Sequence, residues 1–354
     1  MSQSLFSWFQ LSLAALGVIG LFLVFFGFLI LISLRKKKLG QGIKIEIKKI
    51  NETYKENKEK ILKEIWDENE YKTYIKNEKQ LLKEKNQAKK KEKEEQKNLP
   101  LPKKVYVLDF NGDVAASAVT TFREQITAIL QTALPKDEIV IRLESPGGMV
   151  HAYGLASSQL ARIKEKNIPL TICVDKVAAS GGYMMACLAN KIIAAPFAIL
   201  GSIGVIASLP NLNKLLHKNN IEYLEMTAGE YKRTLTPFGE ITEKKKAKFQ
   251  EQIEEVHELF KDHVTKYRSQ IDIAKVATGE YWFGVKAIEL NLVDELKTSD
   301  DYLLNLSKDY EIYHIFTPKK ESFKDKLAGT AQSLLQIFLA KNIDKEENKY
   351  PLLM

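Results

Sequence analysis

From residue 104 to residue 295, short apolar stretches rich in β-branched residues alternate with longer stretches of helical periodicity. The first five predicted elements are strand 104–110, helix 116–134, strand 138–143, helix 149–166 and strand 170–177. This alternation is typical of parallel βαβ units, so we predict an α/β domain. Ligands bind beyond the carboxyl ends of the strands in such sheets. The glycine-containing turns at 144–148 and 178–182 both follow predicted strands, and we expect them to face one cleft.

The alternation continues beyond residue 182. The predicted elements there are helix 183–189, strand 191–194, a turn and strand at 201–205, helix 211–220, strand 221–226 and helix 242–269. Residues 276–295 close the predicted domain. A last helical pattern spans residues 323–339, with apolar side chains at 323, 327, 334 and 338. We expect this tail to cover the domain, with a neighbouring subunit or the membrane as the alternatives.

Ser180 is the candidate nucleophile because it lies where a predicted buried strand turns into a helix. A hydroxyl at such a turn sits among unpaired backbone N–H groups at the positive end of the helix dipole. Gly181 and Gly182 follow it and leave room for a substrate. The alternative is that Ser180 only caps the helix, which is the usual role of an isolated serine at this place.

A serine hydroxyl needs a base to take its proton. Lys232 is the candidate base, since it lies in a glycine-led loop at a predicted strand end, and a neutral lysine amine can serve. Ser202, in a Gly-Ser-Ile-Gly turn, is placed to hold that amine. His151 opens a helix without an evident carboxylate partner, so we assign it no direct part. Most lysines are solvated surface residues, and that alternative stays open for Lys232.

Backbone N–H groups for an oxyanion are predicted at two places. The Gly147-Gly148 turn supplies one pair and the residue after Ser180, Gly181, supplies another donor. Each such donor contributes roughly 3 kcal/mol to transition-state binding in comparable sites. No cluster of histidines and cysteines has the spacing of a metal site, and no phosphate-binding loop is present in the sequence, so no cofactor is predicted.

The N-terminal region predicts a membrane anchor. Residues 1–34 carry no charged side chain, and residues 11–34 are almost entirely apolar, which is long enough to cross a bilayer. The segment lacks the basic start and the cleavage site of a secretory signal, so we expect it to be retained. Residues 35–38 are Arg-Lys-Lys-Lys, which favours a cytoplasmic location for the following chain. A buried core helix is the alternative.

A charged stalk is predicted between the anchor and the α/β domain. Residues 35–97 carry 21 basic and 13 acidic side chains, a net charge of +8 that equals the formal charge of the whole chain. Lysines alternate with glutamates there, which favours a solvated, partly helical spacer, with attraction to anionic lipid as a second possibility. No nucleic-acid-binding motif accompanies the lysines, so we expect no nucleic-acid partner.

Four motifs in order resemble one family. ESPGG (144–148), DKVAASGGYMMA (175–186), GSIGV (201–205) and GEYKRTL (229–235) are similar to those of the signal peptide peptidase A family, peptidase family S49, and in particular to its single-domain inner-membrane members. The resemblance covers most of the chain. It implies a crotonase-like (Clp protease-like) fold and a Ser/Lys dyad, with Ser180 as nucleophile, Lys232 as base and Ser202 as the hydroxyl that orients the lysine. Gly147 and Gly148 match the oxyanion turn.

The resemblance also implies an organisation and an activity. We expect an anchor with its basic flank at 1–38, a stalk at 39–102, the catalytic domain at 103–320 and an amphipathic helix with a tail at 321–354. We expect a single-pass protein of the bacterial inner membrane, assembled as a homo-oligomeric ring in which Lys232 serves the Ser180 of a neighbour. The expected substrates are peptides or unfolded segments near the membrane, remnant signal peptides among them.

Two alternatives from other functional classes remain at this stage. The same fold hosts acyl-CoA hydratases and isomerases, but those enzymes are usually soluble and use carboxylates. The other alternative is a non-catalytic membrane scaffold that keeps the fold for assembly. The side of the membrane that holds the catalytic domain is also left open, because the charge bias favours the cytoplasm and conflicts with an outward-facing peptidase.

Overall fold

The computed structural model describes residues 44–95 and 102–318, together with Phe25. Residues Ile45–Phe316 form one compact unit. The predicted membrane anchor and the predicted C-terminal helix lie outside the described residues, apart from Phe25. Within the described segments, none of the helices combines the length and the apolar composition that a membrane span requires.

Within the described residues, ten strands form two sheets. The strands are β1 (Glu46–Lys49), β2 (Lys104–Asn111), β3 (Glu138–Glu144), β4 (Leu170–Val174), β5 (Val177–Ala179), β6 (Lys191–Ala194), β7 (Ile199–Gly201), β8 (Tyr281–Phe283), β9 (Glu295–Leu296) and β10 (Glu311–Phe316). The larger sheet has the order β1-β10-β2-β3-β4-β6-β9, and all its pairs are parallel except the one between β1 and β10. The predicted α/β class is therefore confirmed.

Helices connect and cover the strands. They are α1 (Ile50–Ile65), α2 (Glu68–Glu95), α3 (Val119–Leu130), α4 (Val150–Glu165), α5 (Gly181–Ala186), α6 (Asn213–Lys218), α7 (Glu243–Tyr267), α8 (Ile273–Val276), α9 (Gly284–Ala287) and α10 (Ser299–Leu306). The main core lies on one face of the larger sheet, where the apolar faces of α3, α4 and α5 are buried. A smaller core on the other face includes Val105, Val107 and Leu303.

The strand that leads to Ser180 belongs to the second sheet. The sequence predicted one continuous strand over 170–177, but the chain leaves the larger sheet at Asp175 and Lys176. The Asp175 carboxylate accepts hydrogen bonds from the backbone N–H and the hydroxyl of Ser299, which holds this bend. β5 then pairs in parallel with β7, and β7 pairs with β8 in the antiparallel direction. The prediction of a single strand was wrong.

The segment between β7 and α7 contains no strand. A strand was predicted over 221–226, but these residues lie exposed, with Leu224 at 72% and Met226 at 85% exposure. A strand requires a hydrogen-bonded neighbour, and no strand of the described residues pairs with this stretch. The helix predicted at 242–269 is present as α7, with Thr242 as its N-cap, and it is buried mainly through Phe260 and Val264 near its C-terminal end.

Part of the predicted stalk belongs to the sheet unit. β1 pairs with β10 in the antiparallel direction, with Glu46 opposite Phe316. The Asn51 side chain at the start of α1 donates to the carbonyl groups of Ser307 and Tyr310 and accepts from the N–H of Ile312. Residues 45–65 therefore lie in the same compact unit as the sheet, whereas the sequence assigned them to a separate stalk.

A polar cluster lies at the carboxyl end of β2, on the face opposite the main core. Arg142 donates to both carboxylate oxygens of Asp109, at 2.6 and 2.9 Å, and the His314 ring lies 2.9 Å from the same carboxylate. Burial by itself raises the pKa of Asp109, but the hydrogen bonds from His314 and Arg142 outweigh burial and lower this pKa to about 2. The cluster therefore favours the ionised carboxylate.

This cluster predicts a specific acid sensitivity. Because the pKa of Asp109 is lower in the folded than in the unfolded chain, its stabilisation is complete above pH about 4 and is lost as the pH falls towards about 2. The side chain is partly exposed, so we expect a contribution of only about 1–2 kcal/mol. In Asp109→Asn the loss of stability between pH 4 and pH 2 should be smaller by that amount, measured by denaturant unfolding in detergent. Identical pH dependence in both proteins would contradict this assignment.

Candidate active site

Ser180 lies in the tight turn between β5 and α5. Its φ of 51° and ψ of −119° are unusual for a residue with a side chain and imply local strain of about 1–3 kcal/mol. The Ser180 N–H donates to the carbonyl of Gly201 at 2.8 Å, which joins the turn to the end of β7. Strain of this kind persists where the surrounding structure enforces it, and it is frequent at functional sites.

The Gly147-Gly148 turn packs directly against this serine. Gly147 has a φ of +92°, and a Cβ atom added there would lie 2.7 Å from both the Gly181 nitrogen and the Ser180 Cβ. A Cβ at Gly148 would collide with the backbone of Val114. The turn is also held by the Met149 N–H, which donates to the Val114 carbonyl at 2.8 Å. Only glycine permits this close approach of the two turns.

Two of the three predicted oxyanion donors have no hydrogen-bond partner within the described residues. The Gly147 N–H donates to the Ser145 hydroxyl at 3.1 Å, so this donor is already used within the chain. Within the described residues the N–H groups of Gly148 and Gly181 have no hydrogen-bond partner. Both glycines line a cavity together with Ser180, and Gly147 does not. The two unpaired N–H groups therefore belong to residues that line the same cavity as Ser180.

The cavity beside Ser180 is small and mostly apolar. Its volume is about 70 Å³, and Met184, Val256 and Phe260 line it opposite the two glycines. A second cavity of about 310 Å³ shares these three side chains and Val150, and extends between α4 and α7. An apolar side chain fits such surroundings, whereas a charged group would lose its hydration there.

Lys232 is not part of this cavity. It is exposed, and within the described residues its ammonium makes neither a hydrogen bond nor an ion pair. Ser202, in contrast, lies near the nucleophile. Ala179 and Gly201 are paired at the ends of β5 and β7, and Ser180 and Ser202 are the residues that follow them. The structure therefore brings Ser180, Ser202, Gly148 and Gly181 to one region of a single chain and leaves Lys232 outside it.

Histidine and cysteine side chains do not supply alternative chemistry in this cavity. None of the five histidines lines it, and His151 is exposed on α4. Cys173 and Cys187 are buried free thiols, and burial raises the pKa of each well above its ordinary value. A thiol of this kind is inert as a nucleophile. Among the described residues, no group of histidine, cysteine and carboxylate side chains could hold a metal ion.

Two residues behind the turn were not singled out from the sequence. Ser145 and Tyr153 are completely buried, and their hydroxyl groups lie 2.5 Å apart. Ser145 was visible only as part of ESPGG, and Tyr153 resembled any other core aromatic residue on a helix. The bond from Gly147 to Ser145 is local, but the contact between Ser145 and Tyr153 depends on how α4 packs beside the end of β3, so no local sequence pattern could have shown it.

Comparison with known families gives two matches that together span most of the chain. The sequence model of peptidase family S49 matches residues 162–312, and the model of the S49 N-terminal region matches residues 5–160. The first match contains Ser180, Ser202 and Lys232, and the second contains the Gly147-Gly148 turn. The candidate residues therefore lie within regions that the family models cover.

Two bacterial proteins that are similar to this chain share one description, probable protease SohB. The probable protease SohB of Haemophilus influenzae is 55% identical over 228 residues, which cover 64% of this chain and 65% of that protein, slightly less than two thirds of its length. The probable protease SohB of Buchnera aphidicola subsp. Schlechtendalia chinensis is 47% identical over 283 residues, covering 78% of this chain and 92% of that protein. A solved structure of a mutant 1510-N membrane-bound stomatin-specific protease with a substrate peptide superposes with a TM-score of 0.41 at 17% identity, over 66% of this chain and all of that one.

Proposed function

Because this chain belongs to peptidase family S49, we propose that it is a membrane-anchored serine endopeptidase with a Ser180/Lys232 dyad. Membership confirms the resemblance inferred from the four motifs. The observation that carries the proposal is the strained Ser180 turn, whose side chain lines a cavity beside two unpaired N–H groups. A peptide carbonyl in that cavity would have a nucleophile and two oxyanion donors within reach.

The proposed reaction is acyl transfer in two steps. The Ser180 hydroxyl attacks the scissile carbonyl while the Lys232 amine takes its proton, and the N–H groups of Gly148 and Gly181 bind the resulting oxyanion. Lys232 then gives the proton to the leaving amine. In the second step the lysine activates a water molecule, which hydrolyses the acyl-enzyme and restores Ser180. Ser202 orients the lysine in both steps.

We propose that the lysine comes from a neighbouring subunit. Two features of the single chain support this: Lys232 lies outside the Ser180 cavity, and the segment that carries it exposes several large apolar side chains. These are Ile206, Leu215, Ile221, Leu224 and Met226, each more than half exposed. Apolar surface of this extent is typical of protein interfaces. A ring of identical subunits would cover it and complete each site.

The proposed substrates are peptides or unfolded segments with apolar side chains near the membrane. The apolar cavities beside Ser180 support this class, since they offer dispersion contacts and no charged partner for a polar side chain. An unfolded segment is required because the scissile bond must reach the small cavity beside Ser180, which a bond inside a folded strand or helix cannot do. Remnant signal peptides satisfy both conditions.

Attachment to the inner membrane through residues 11–34 is also part of the proposal. After a carbonate wash, the full chain should stay with the membrane fraction, whereas a chain that begins at residue 39 should be released. Retention of the shortened chain would contradict the anchor.

A tag at the C-terminus, tested for protease access in intact spheroplasts, would place the catalytic domain on one side of the membrane.

The activity is tested by cleavage of an unfolded, fluorescently quenched protein by the detergent-solubilised full chain. We expect cleavage by the wild type and none by Ser180→Ala. Equal cleavage by both would reveal a contaminating protease. Absence of cleavage in both, together with hydration or isomerisation of an unsaturated acyl-CoA, would favour the acyl-CoA alternative, and absence of both activities would favour the scaffold.

A further inference from the structure

A chain of three hydrogen bonds lies directly behind the Gly147-Gly148 turn. The Gly147 N–H is 3.1 Å from the Ser145 hydroxyl, which lies 2.5 Å from the Tyr153 hydroxyl. The Tyr153 hydroxyl in turn donates to the backbone carbonyl of Asp113 at 2.8 Å. Both side chains are fully buried, so water does not compete for these bonds.

The direction of every bond in this chain is determined. The carbonyl of Asp113 can only accept, so Tyr153 uses its one proton there. Tyr153 must therefore accept from Ser145, and Ser145 is left to accept from the Gly147 N–H. Burial raises the pKa of Tyr153, which keeps its proton in place. No member of the chain can turn without leaving a buried polar group unpaired.

The same two residues also contact the nucleophile turn. Ser145 donates its N–H to the Val177 carbonyl at 2.8 Å and accepts from the Ala179 N–H at 3.0 Å, so its backbone is bound to β5 on both sides. The Tyr153 ring packs against Gly181, where an added Cβ would collide with the ring. The chain of hydroxyls thus connects the turn that carries one oxyanion donor to the turn that carries the other.

We propose that Ser145 and Tyr153 are positioning residues that bind the Gly147 N–H and thereby aim the Gly148 N–H at the oxyanion, an inference that rests on the proposed peptidase function. If the bond from Gly147 to Ser145 were lost, the peptide unit of Gly147 could rotate, and the Gly148 N–H next to it would point elsewhere. Neither hydroxyl lines the Ser180 cavity, so neither contacts the substrate. Their effect is transmitted through the backbone of residues 145–148.

The first test is kinetic and uses a matched pair of variants. In Tyr153→Phe we expect kcat for peptide cleavage to fall roughly 10- to 100-fold, with KM changed by less than about twofold, because a donor that acts only on the transition state is misplaced. Ser145→Ala should lose a similar amount, and the double variant should lose no more than the larger single loss. Tyr302→Phe is the control. It also removes a tyrosine hydroxyl that makes a hydrogen bond, but the partner is Glu138 at the start of β3, at the end opposite Ser145.

The second test does not depend on activity. Hydrogen–deuterium exchange in residues 145–149 should be at least roughly tenfold faster in Tyr153→Phe than in the wild type, and unchanged in Tyr302→Phe. Unchanged exchange in Tyr153→Phe would overturn the inference, and so would a wild-type kcat. If the wild type cleaves no peptide, the proposed function fails, and the exchange result alone decides whether the two hydroxyls position the turn.

Discussion

Mixed oligomers of two inactive variants should regain activity. Ser180→Ala removes the nucleophile and Lys232→Ala removes the base, so each alone should lose at least roughly 10⁴-fold in kcat. If each site takes its serine from one subunit and its lysine from the next, an equal mixture has a complete pair at about a quarter of its interfaces. Co-expression with two different affinity tags, followed by purification on both, gives the mixed assemblies in which recovery is measured.

A second mixture distinguishes sharing between subunits from a dyad within one subunit. Wild-type chains combined in equal amount with chains that carry both substitutions should retain about a quarter of the activity if the dyad is shared, and about half if it is not. Failure of Ser180→Ala and Lys232→Ala to complement each other in verified mixed assemblies would contradict the shared dyad. The exposed position of Lys232, outside the Ser180 cavity of its own chain, is the reason to expect recovery.

Gly147→Ala should abolish cleavage and destabilise the fold. The new Cβ would lie 2.7 Å from the Gly181 nitrogen and 2.8 Å from the Ala179 carbonyl oxygen, so the two turns must move apart. Displacement of reacting groups by about 1 Å costs roughly 100-fold in rate, and both oxyanion donors are displaced here. Strain at the positive φ of +92° adds about 1–3 kcal/mol of destabilisation.

Gly279→Ala separates these two causes. Gly279 also has a positive φ, of +85°, but no atom lies within 4 Å of an added Cβ. We therefore expect Gly279→Ala to lose only the strain contribution of about 1–3 kcal/mol in thermal unfolding, less than Gly147→Ala loses, and to keep near wild-type kcat/KM. Comparable loss of activity in both variants would mean that backbone strain, and not the close approach of the two turns, is what the site depends on. Wild-type activity in Gly147→Ala would exclude the proposed geometry.

Local patterns were sufficient wherever a feature depends on neighbours in sequence. The alternation of strands and helices, the turn at Ser180 and the helix that begins after Thr242 all follow from periodicity, glycine placement and capping. Family membership also followed from the sequence, because four motifs occur in one order. These signals are local, and each could be recognised without knowing which strands pair.

Strand partners were not predictable in the same way. The stretch 170–177 was predicted as one strand, yet residues 170–174 pair within the larger sheet and Val177 begins β5 in the other sheet. The bend between them is held by the Asp175 carboxylate, which binds Ser299, a residue distant in sequence. Residues 221–226 have the composition of a strand but no neighbouring strand among the described residues. Conversely, the stretch 46–49 is short and mostly charged, which does not predict a strand. It forms β1 because the edge of β10 opposite β2 offers it hydrogen-bond partners.

The sequence by itself determined the class of the domain, the family and the residues that could act as nucleophile, base and oxyanion donors. Tertiary structure decided which of those groups are free to act. It directs the Gly147 N–H to Ser145, leaves the N–H groups of Gly148 and Gly181 unpaired within the described residues, and keeps Lys232 outside the Ser180 cavity. The physical reason is that a hydrogen-bond donor is used by whichever acceptor lies near it, and the acceptor here, Ser145, is held in place by Tyr153 and by β5, which only the fold brings to it.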